Sequence, residues 1–426
     1  TWSRGGGSIG CEGKSYGKGH RQTQAERIAE KPGGLAGMNI RMKASHIRWI
    51  STFAAILLAL PLDWGKLTGL YTWSSPFIML NSAIAVRSFM WMAIPGILVL
   101  AASFYSKRWF CRYMCPVGSV CDLVSKSRRN VKYNISKVPP IGKWAAVISI
   151  ASAIFGFPVF IIVDPMAIFN GFFAVFTENI SLIVVLSLFG FPLLLALNWF
   201  FPGIWCAKIC PLGGLQDDIA DLKKFVIKNK ESKSITLADK IPPRRIFLAS
   251  GIGLISGLVI PKFLRPAGKR YFRPPSSLPE NHFNVLCIRC GSCIKSCPSA
   301  IIVHHKDIDN FASWMTPEVT FSNNGYCVED CNLCSVVCPS GAIRLFNIEE
   351  KTQIIMGSVR INTEKCLLTE RIECDRCKTA CSYKAISVEF NPNNIISFPV
   401  VDNEKCVGCG ACAVICPPEA IEMLPV

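Results

Sequence analysis

Four cysteine quartets crowd the last third of the chain, and they limit what it can fold into more than any other feature. They run Cys287-x2-Cys290-x2-Cys293-x3-Cys297-Pro298, Cys327-x3-Cys331-x2-Cys334-x3-Cys338-Pro339, Cys366-x7-Cys374-x2-Cys377-x3-Cys381 and Cys406-x2-Cys409-x2-Cys412-x3-Cys416-Pro417. The first and last have the spacing that ligates cubane iron–sulfur clusters, and the other two end in the same x2 and x3 intervals. Three thiolates from one loop wrap a [4Fe-4S] cluster, and the fourth, carried off by the next helix, reaches the neighbouring one. Ligation is therefore expected to cross. Cys287, Cys290 and Cys293 take Cys338, and Cys327, Cys331 and Cys334 take Cys297; Cys366, Cys374 and Cys377 take Cys416, and Cys406, Cys409 and Cys412 take Cys381. Each quartet is followed by a small apolar unit (SAII, SGAI, YKAI, PEAI) of the kind that closes such a loop. Zinc is the competing ligand, but zinc sites use separated C-x2-C pairs. Disulfide frameworks belong to short secreted chains with irregular spacings. Four clusters in line conduct single electrons.

Composition divides the chain in the same place. Of 22 cysteines, 16 lie between Cys287 and Cys416. Residues 1–273 carry a net charge of +22 and residues 274–426 a net of −5. With 50% hydrophobic residues and a mean hydropathy of +0.35, the basic part is no nucleic-acid surface, because its charges fall between apolar runs. Residues 1–40 are Gly-rich and basic and read as a mobile arm, in which Cys11 is incidental. Trp49–Leu62, Ser88–Phe104, Trp144–Val163 and Ile180–Phe201 are expected to span a membrane, with Pro76–Val86 as a half-helix at its surface. Arg41, Lys43, Arg48 and the basic loop from Lys107 to Lys143 orient these spans by the positive-inside rule. A fifth crossing, Ile246–Ile260, follows Arg244-Arg245 and would put the acidic cysteine domain on the outer face of a bacterial or archaeal cytoplasmic membrane.

The membrane region repeats itself. SPFIMLNSAIA, an apolar run and WFCRYMCPVGSVCD correspond to DPMAIFNGFFA, an apolar run and IWCAKICPLGGLQD, pairing Pro76 with Pro165, Gly118 with Gly213 and Asp122 with Asp217. Duplicated helical hairpins should pack about a pseudo-two-fold axis and bring both C-x-x-x-C-P motifs to one edge. Cys111 and Cys115, like Cys206 and Cys210, share a helix face at i and i+4. Three readings stand: a further iron–sulfur site, a redox dithiol or transient metal site, and a purely structural role. Cys121, whose repeat partner is Gln216, falls outside the symmetric set. His304 and His305 read as surface residues.

The architecture expected is an α-helical membrane domain (41–240) of duplicated hairpins, four spans plus a fifth segment (241–265), then a Pro-rich linker (266–280). An α+β polyferredoxin domain (281–426) of two bacterial two-cluster modules follows. On the paired C-x-x-x-C-P motifs, residues 41–220 resemble the NapH-type membrane quinol-dehydrogenase ferredoxin proteins, and these in turn resemble parts of the nitrous-oxide-reductase accessory protein and the copper-oxidase assembly ferredoxins. On RRIFLAS, which resembles a twin-arginine signal, and CLLTERIECDRCKTAC, residues 240–426 resemble the four-cluster NapG/MauM type. The chain thus reads as a fusion of the two. The resemblance implies menaquinol or ubiquinol as electron donor, a reductase catalytic subunit or multihaem cytochrome as acceptor, membrane lipid as surroundings and no nucleic-acid partner. The competing function is an assembly or metal-reductase factor whose C-x-x-x-C-P thiols handle a metal. Oxidising a quinol needs a proton acceptor beside the ring, for which Asp164, Glu178 and His46 are candidates. Asp164 is preferred, since it opens the second half-helix, where a helix N-cap is its equally good alternative.

Overall fold

The computed structural model describes residues 34–62, 64–88, 90–127, 138–177, 190–231, 244–263, 270–306, 310, 312–321, 325–392 and 395–426. Glu178 and Cys11 lie outside them. Helices fill the first part: α1 (Gly34–Ala59), α2 (Pro76–Val86), α3 (Ile94–Tyr105), α4 (Trp109–Tyr113), α5 (Pro116–Ser127), α6 (Ile141–Ala153), α7 (Pro165–Ala174), α8 (Gly190–Phe200), α9 (Pro211–Glu231) and α10 (Arg244–Phe263).

Among the described residues no helix is long and apolar enough to cross a membrane. This overturns the expected membrane domain, and with it the multi-pass placement in a cytoplasmic membrane with the cysteine domain outside. The apolar runs are cut short by local chemistry. Ser88–Phe104 is divided, since the helix starts only at Ile94. Trp144–Val163 ends its helix at Ala153, where α6 has 13 residues and so a length of ~20 Å against a hydrocarbon core of ~30 Å. Of the fourth run, residues 180–189 lie outside the described set, and α8 supplies 11 residues. In α10 the apolar stretch is broken by Gly251, Gly253, Ser256 and Gly257. Gly253 and Gly257 let α10 lie on α6, where an added Cβ would stand 2.6 Å from the Ile148 carbonyl and 2.9 Å from that of Ser152. Outer faces stay apolar, Phe53, Leu98, Phe247 and Ile255 being more than 60% exposed.

The repeat organises these helices. Ser75 caps α2 and Asp164 caps α7, each followed by Pro at the first helical position, where a missing N–H costs nothing. Both caps are fully buried, and the Ser75 hydroxyl donates to Asp164 Oδ2 at 2.7 Å, so the two half-helices start back to back.

Both then run into the cysteine domain, whose described elements are α11 (Glu280–Leu286), α12 (Ser292–Lys295), β1 (Ile302–His304), β2 (Pro317–Val319), α13 (Leu333–Val336), β3 (Gly357–Ile361), α14 (Arg376–Thr379), β4 (Ile386–Asn391), β5 (Ile396–Val401), α15 (Ala411–Ile415) and β6 (Ile421–Pro425). It contains two modules of one plan. Each has an inner antiparallel hairpin, β1–β2 or β4–β5, and an outer antiparallel pairing, the Ser277–Ile343 bridge in the first and β3–β6 in the second. The segment before α11 packs rather than trails: Arg273 is buried, clasps Glu280 and donates to the Thr316 hydroxyl and the Pro317 carbonyl. His304 and His305 are buried, contrary to expectation. The hairpin turns both inward, and His305 Nδ1 meets Glu318 Oε2 at 2.7 Å across it.

At the seam, α7 meets the first quartet and α2 the second. Asn170 donates to the Cys290 carbonyl and the Ser292 hydroxyl, both at 2.9 Å, while Ser82 donates to the Pro339 carbonyl. Gly291, at φ +66°, faces Ala174, whose Cβ would stand 2.2 Å from an added Cβ. Substituting Gly291→Ala therefore combines left-handed strain with a clash and should destabilise the fold by ~2–4 kcal/mol. Chemical denaturation followed by circular dichroism measures it, and an unchanged midpoint would show that the seam does not hold the two halves together.

Candidate functional site

Every cysteine of the four quartets lies in a loop or in a one-turn helix, so the thiols converge on spaces between elements, several of them, such as Cys287, Cys293 and Cys377, among the buried apolar residues. Cys297, from the first quartet, lines one small cavity with Cys327, Cys331 and Cys334. Cys416 lines another with Cys366, Cys374 and Cys377, and Cys381 a third with Cys406, Cys409 and Cys412. Cys293 is pushed well above the usual thiol pKa by burial and by the neighbouring Cys290, Cys287, Cys338 and Cys334, so the first set and one thiol of the second lie close together. Each group draws three donors from one loop and one from the end of another quartet. Among the described residues no three His, Cys, Asp or Glu side chains sit close enough to hold a single metal ion.

The backbone shapes these spaces. The third residue after the last cysteine of each quartet has a left-handed φ: Ala300 at 50°, Gly341 at 69°, Lys384 at 50° and Glu419 at 50°. That turn reverses the chain and aims a following N–H at sulfur. Ile343 donates to Cys338, Ala385 to Cys381 and Ala420 to Cys416, at 3.3 to 3.5 Å. Such donors favour a charged sulfur over a neutral one. Gly408 and Gly410, at φ +74° and +84°, open the fourth loop, and Gly410 admits the ring of Phe321 from the first module.

Buried cations lie beside the sulfurs. Lys295 is 9% exposed, donates to Asn170 Oδ1 at 2.7 Å and the Ala59 carbonyl at 3.1 Å, and feels Cys290; burial pushes its pKa down to about 8. Lys351, 3% exposed, donates to the carbonyls of Val328 and Cys331 and to Cys327. A hydrogen bond from the Cys327 N–H to the Cys409 carbonyl, 2.9 Å long, ties the second donor set to the third. The four donor sets thereby follow one another: the set of Cys287, then that of Cys327, then that of Cys406, then that of Cys366. The first set stands apart in burial, since Cys287, Cys290, Cys293 and Cys338 are all buried, whereas each of the other three has one buried cysteine (Cys334, Cys412 or Cys377) and three partly exposed ones.

The C-x-x-x-C-P motifs form a separate centre. Cys115 lies two residues past α4 and Cys210 directly past the turn Trp205–Ile209, each before the Pro that opens α5 or α9. Cys210 feels the charges of Cys111, Cys206 and Cys115, so all four thiols converge. The surroundings repeat as the sequence does: the Gly118 N–H meets Cys115 Sγ at 3.3 Å and the Gly213 N–H meets Cys210 Sγ at 3.5 Å. Arg48 pairs with Asp122 and Arg108 with Asp217, the second in a two-bonded fork. Cys121 is no bystander. It hydrogen-bonds Cys206, which this contact holds below its usual pKa, just as Gln216 donates to Cys111 at 3.4 Å. The signal was the repeat itself, which puts Cys121 opposite Gln216. Asp164 stands apart as the α7 cap, accepting from the Met166 N–H, its carboxyl pushed up to about 6 by burial. His46 is exposed.

A family model described as a 4Fe-4S binding domain matches residues 88–134 and 183–230, the two C-x-x-x-C-P regions; another of that description matches residues 399–422. A 4Fe-4S dicluster domain matches residues 286–342. The chain therefore carries several [4Fe-4S] clusters, for which the cysteine-lined cavities offer the right donors. Among curated proteins it is similar to the methylamine utilization ferredoxin-type protein MauM of Methylophilus methylotrophus, 34% identical over 176 residues, 38% of this chain and 74% of that protein. It is also similar to the ferredoxin-type proteins NapG and NapF of Escherichia coli. The first is 33% identical over 38% of this chain and 73% of NapG, the second 32% over 35% of this chain and 82% of NapF. No solved structure matches.

Without iron the buried thiols are hard to ionise: burial pushes Cys111, Cys287 and Cys412 up to about 12 from the usual 9. In the unfolded chain they ionise near 9, so the stability they contribute is complete below that pH and is lost as pH rises toward 12. The iron-free protein should therefore lose stability between pH 9 and 12, and the iron-loaded protein much less. Thermal melts of both forms across that window check this; parallel curves would contradict it.

Proposed function

This chain belongs to the ferredoxin-type iron–sulfur electron-transfer proteins, and from that membership we propose that it takes electrons from a quinol and passes them along four [4Fe-4S] clusters to a reductase or cytochrome partner. The ligands are the crossed sets: Cys287, Cys290, Cys293 and Cys338; Cys327, Cys331, Cys334 and Cys297; Cys406, Cys409, Cys412 and Cys381; Cys366, Cys374, Cys377 and Cys416. The observation that carries this reading is their serial order, with the Cys327–Cys409 hydrogen bond linking the middle sets and the one wholly buried set at one end. Electrons enter at the wholly buried set and leave at the far end of the series. Bound clusters supply one-electron chemistry. This chain's part is to hold the thiolates, donate N–H groups to them and place Lys295 and Lys351 where added negative charge is stabilised.

A fifth cluster at Cys111, Cys115, Cys206 and Cys210 is supported by the 4Fe-4S family match over both motifs. The second reading, in which these thiols bind and reduce a metal for an assembly role, is favoured by the contact of a fifth thiol, Cys121, with Cys206. Asp164 is the proposed proton acceptor, since a carboxyl with a pKa of about 6 can take a proton near neutral pH.

Four cubanes correspond to about sixteen irons and sixteen labile sulfides per chain, and iron nearer about twenty indicates the fifth. Less than about twelve, with zinc making up the difference, would overturn the four-cluster assignment. Cys210→Ser should leave the iron of the four quartets in place and abolish their reduction by quinol. Unchanged reduction rates, followed by bleaching near 400 nm, would make the C-x-x-x-C-P centre structural.

A further inference from the structure

The buried end of the series has a neighbour that no cysteine reaches. A cavity of about 490 Å³ opens between α7 and the start of α8 on one side and, on the other, the loop that carries Cys287 and Cys290. Its walls are almost wholly apolar. Phe172 and Phe191 stand with ring centroids 5.3 Å apart and planes at 51°, and Trp314 and Met315 face them. Volume and lining suit a flat lipophilic ring and leave a nucleotide or sugar nothing to bind its many polar groups.

Two polar side chains also line the cavity, Asn284 and Arg289. Arg289 sits between Cys287 and Cys290 at φ +55°, which turns its side chain away from the sulfurs' space. Its guanidinium donates to the carbonyls of Trp314 at 2.7 Å, Ala312 at 2.8 Å and Cys287 at 3.5 Å. Those bonds use three of the five N–H groups a guanidinium has. Among the described residues no carboxylate pairs with it. The N–H groups left over can donate to an electron-rich oxygen of a ligand whose remaining surface is apolar, as the other walls are. A ring bound there lies within one residue of two cysteines of the most buried set.

We propose that this cavity binds the ring of a quinone, with the carbonyl or hydroxyl oxygen turned toward Arg289. This rests on the quinol reading above and gives that reading a place. Asp164 is not among the lining residues; it caps α7, the helix that supplies one wall.

The test is binding, measured on the full iron-loaded chain with menadione, a quinone without a long tail, by equilibrium dialysis. A photoreactive azido-menadione should label peptides containing Phe172, Ile288 or Trp314, and excess menadione should suppress the labelling. Ile168→Trp fills the cavity and Arg289→Met removes the donor, and each should weaken menadione binding by at least ~10-fold. Retained absorbance near 400 nm shows that such a variant has folded and loaded; where it has not, the labelling of the unaltered chain decides. Labelling confined to other peptides, or full affinity in a loaded Ile168→Trp chain, overturns the site, and the quinol reading survives if menadiol still reduces the clusters. No menadione binding together with no reduction by menadiol overturns both.

Discussion

A left-handed turn three residues beyond the last cysteine of each quartet sets the geometry on which the rest depends. A cysteine that has to serve a neighbouring loop must leave its own, and the chain must then reverse sharply enough for an N–H to return to the sulfur. Only Gly341 of the four turn residues takes that conformation freely; Ala300, Lys384 and Glu419 take it against a cost of ~1–2 kcal/mol each. Strain repeated at equivalent positions of four loops is held in place by what it makes possible, namely donor sets that interlock two loops at a time. Each module is consequently a pair whose halves cannot separate without breaking both.

The helical part meets this pairing with one of its own. Two half-helices begin at a shared hydrogen bond, Ser75 to Asp164, and diverge, one to each quartet of the first module. Asn81 and Asn170 occupy equivalent places on them yet do different work. Asn81 binds the Ser149 hydroxyl within the helical part, whereas Asn170 reaches Cys290, Ser292 and Lys295. The duplicated scaffold is thus used asymmetrically, and the asymmetry falls where the apolar cavity opens.

That the chain carries several [4Fe-4S] clusters was legible in the sequence because thiol spacing is local information. The repeat was legible because Pro, Gly and Asp at matched intervals survive in both halves. Hydropathy misled, because it counts apolar residues without knowing whether they face lipid or one another. In Trp144–Val163 the residues past Ala153 turn back, and the small residues of α6, Gly142, Ser149 and Ser152, are contact points for α9, α2 and α10. His304 and His305 were misjudged for a related reason: a polar pair looks exposed until a hairpin closes over it. The roles of Arg108, Gln216, Cys121 and Lys295 depend on partners roughly 85 to 125 residues away, a distance over which no short motif carries information.

The uneven burial of the donor sets also governs how the molecule wears. Dissolved oxygen and peroxide attack clusters they can reach, and every donor set but that of Cys287, Cys290, Cys293 and Cys338 has three partly exposed cysteines. Damage therefore reaches the Cys287 set last, after the other three. With the proposed direction of flow, an injured molecule loses its outlet before its inlet and fails by falling silent, holding what it has accepted in its one sheltered cluster, where oxygen does not readily collect it.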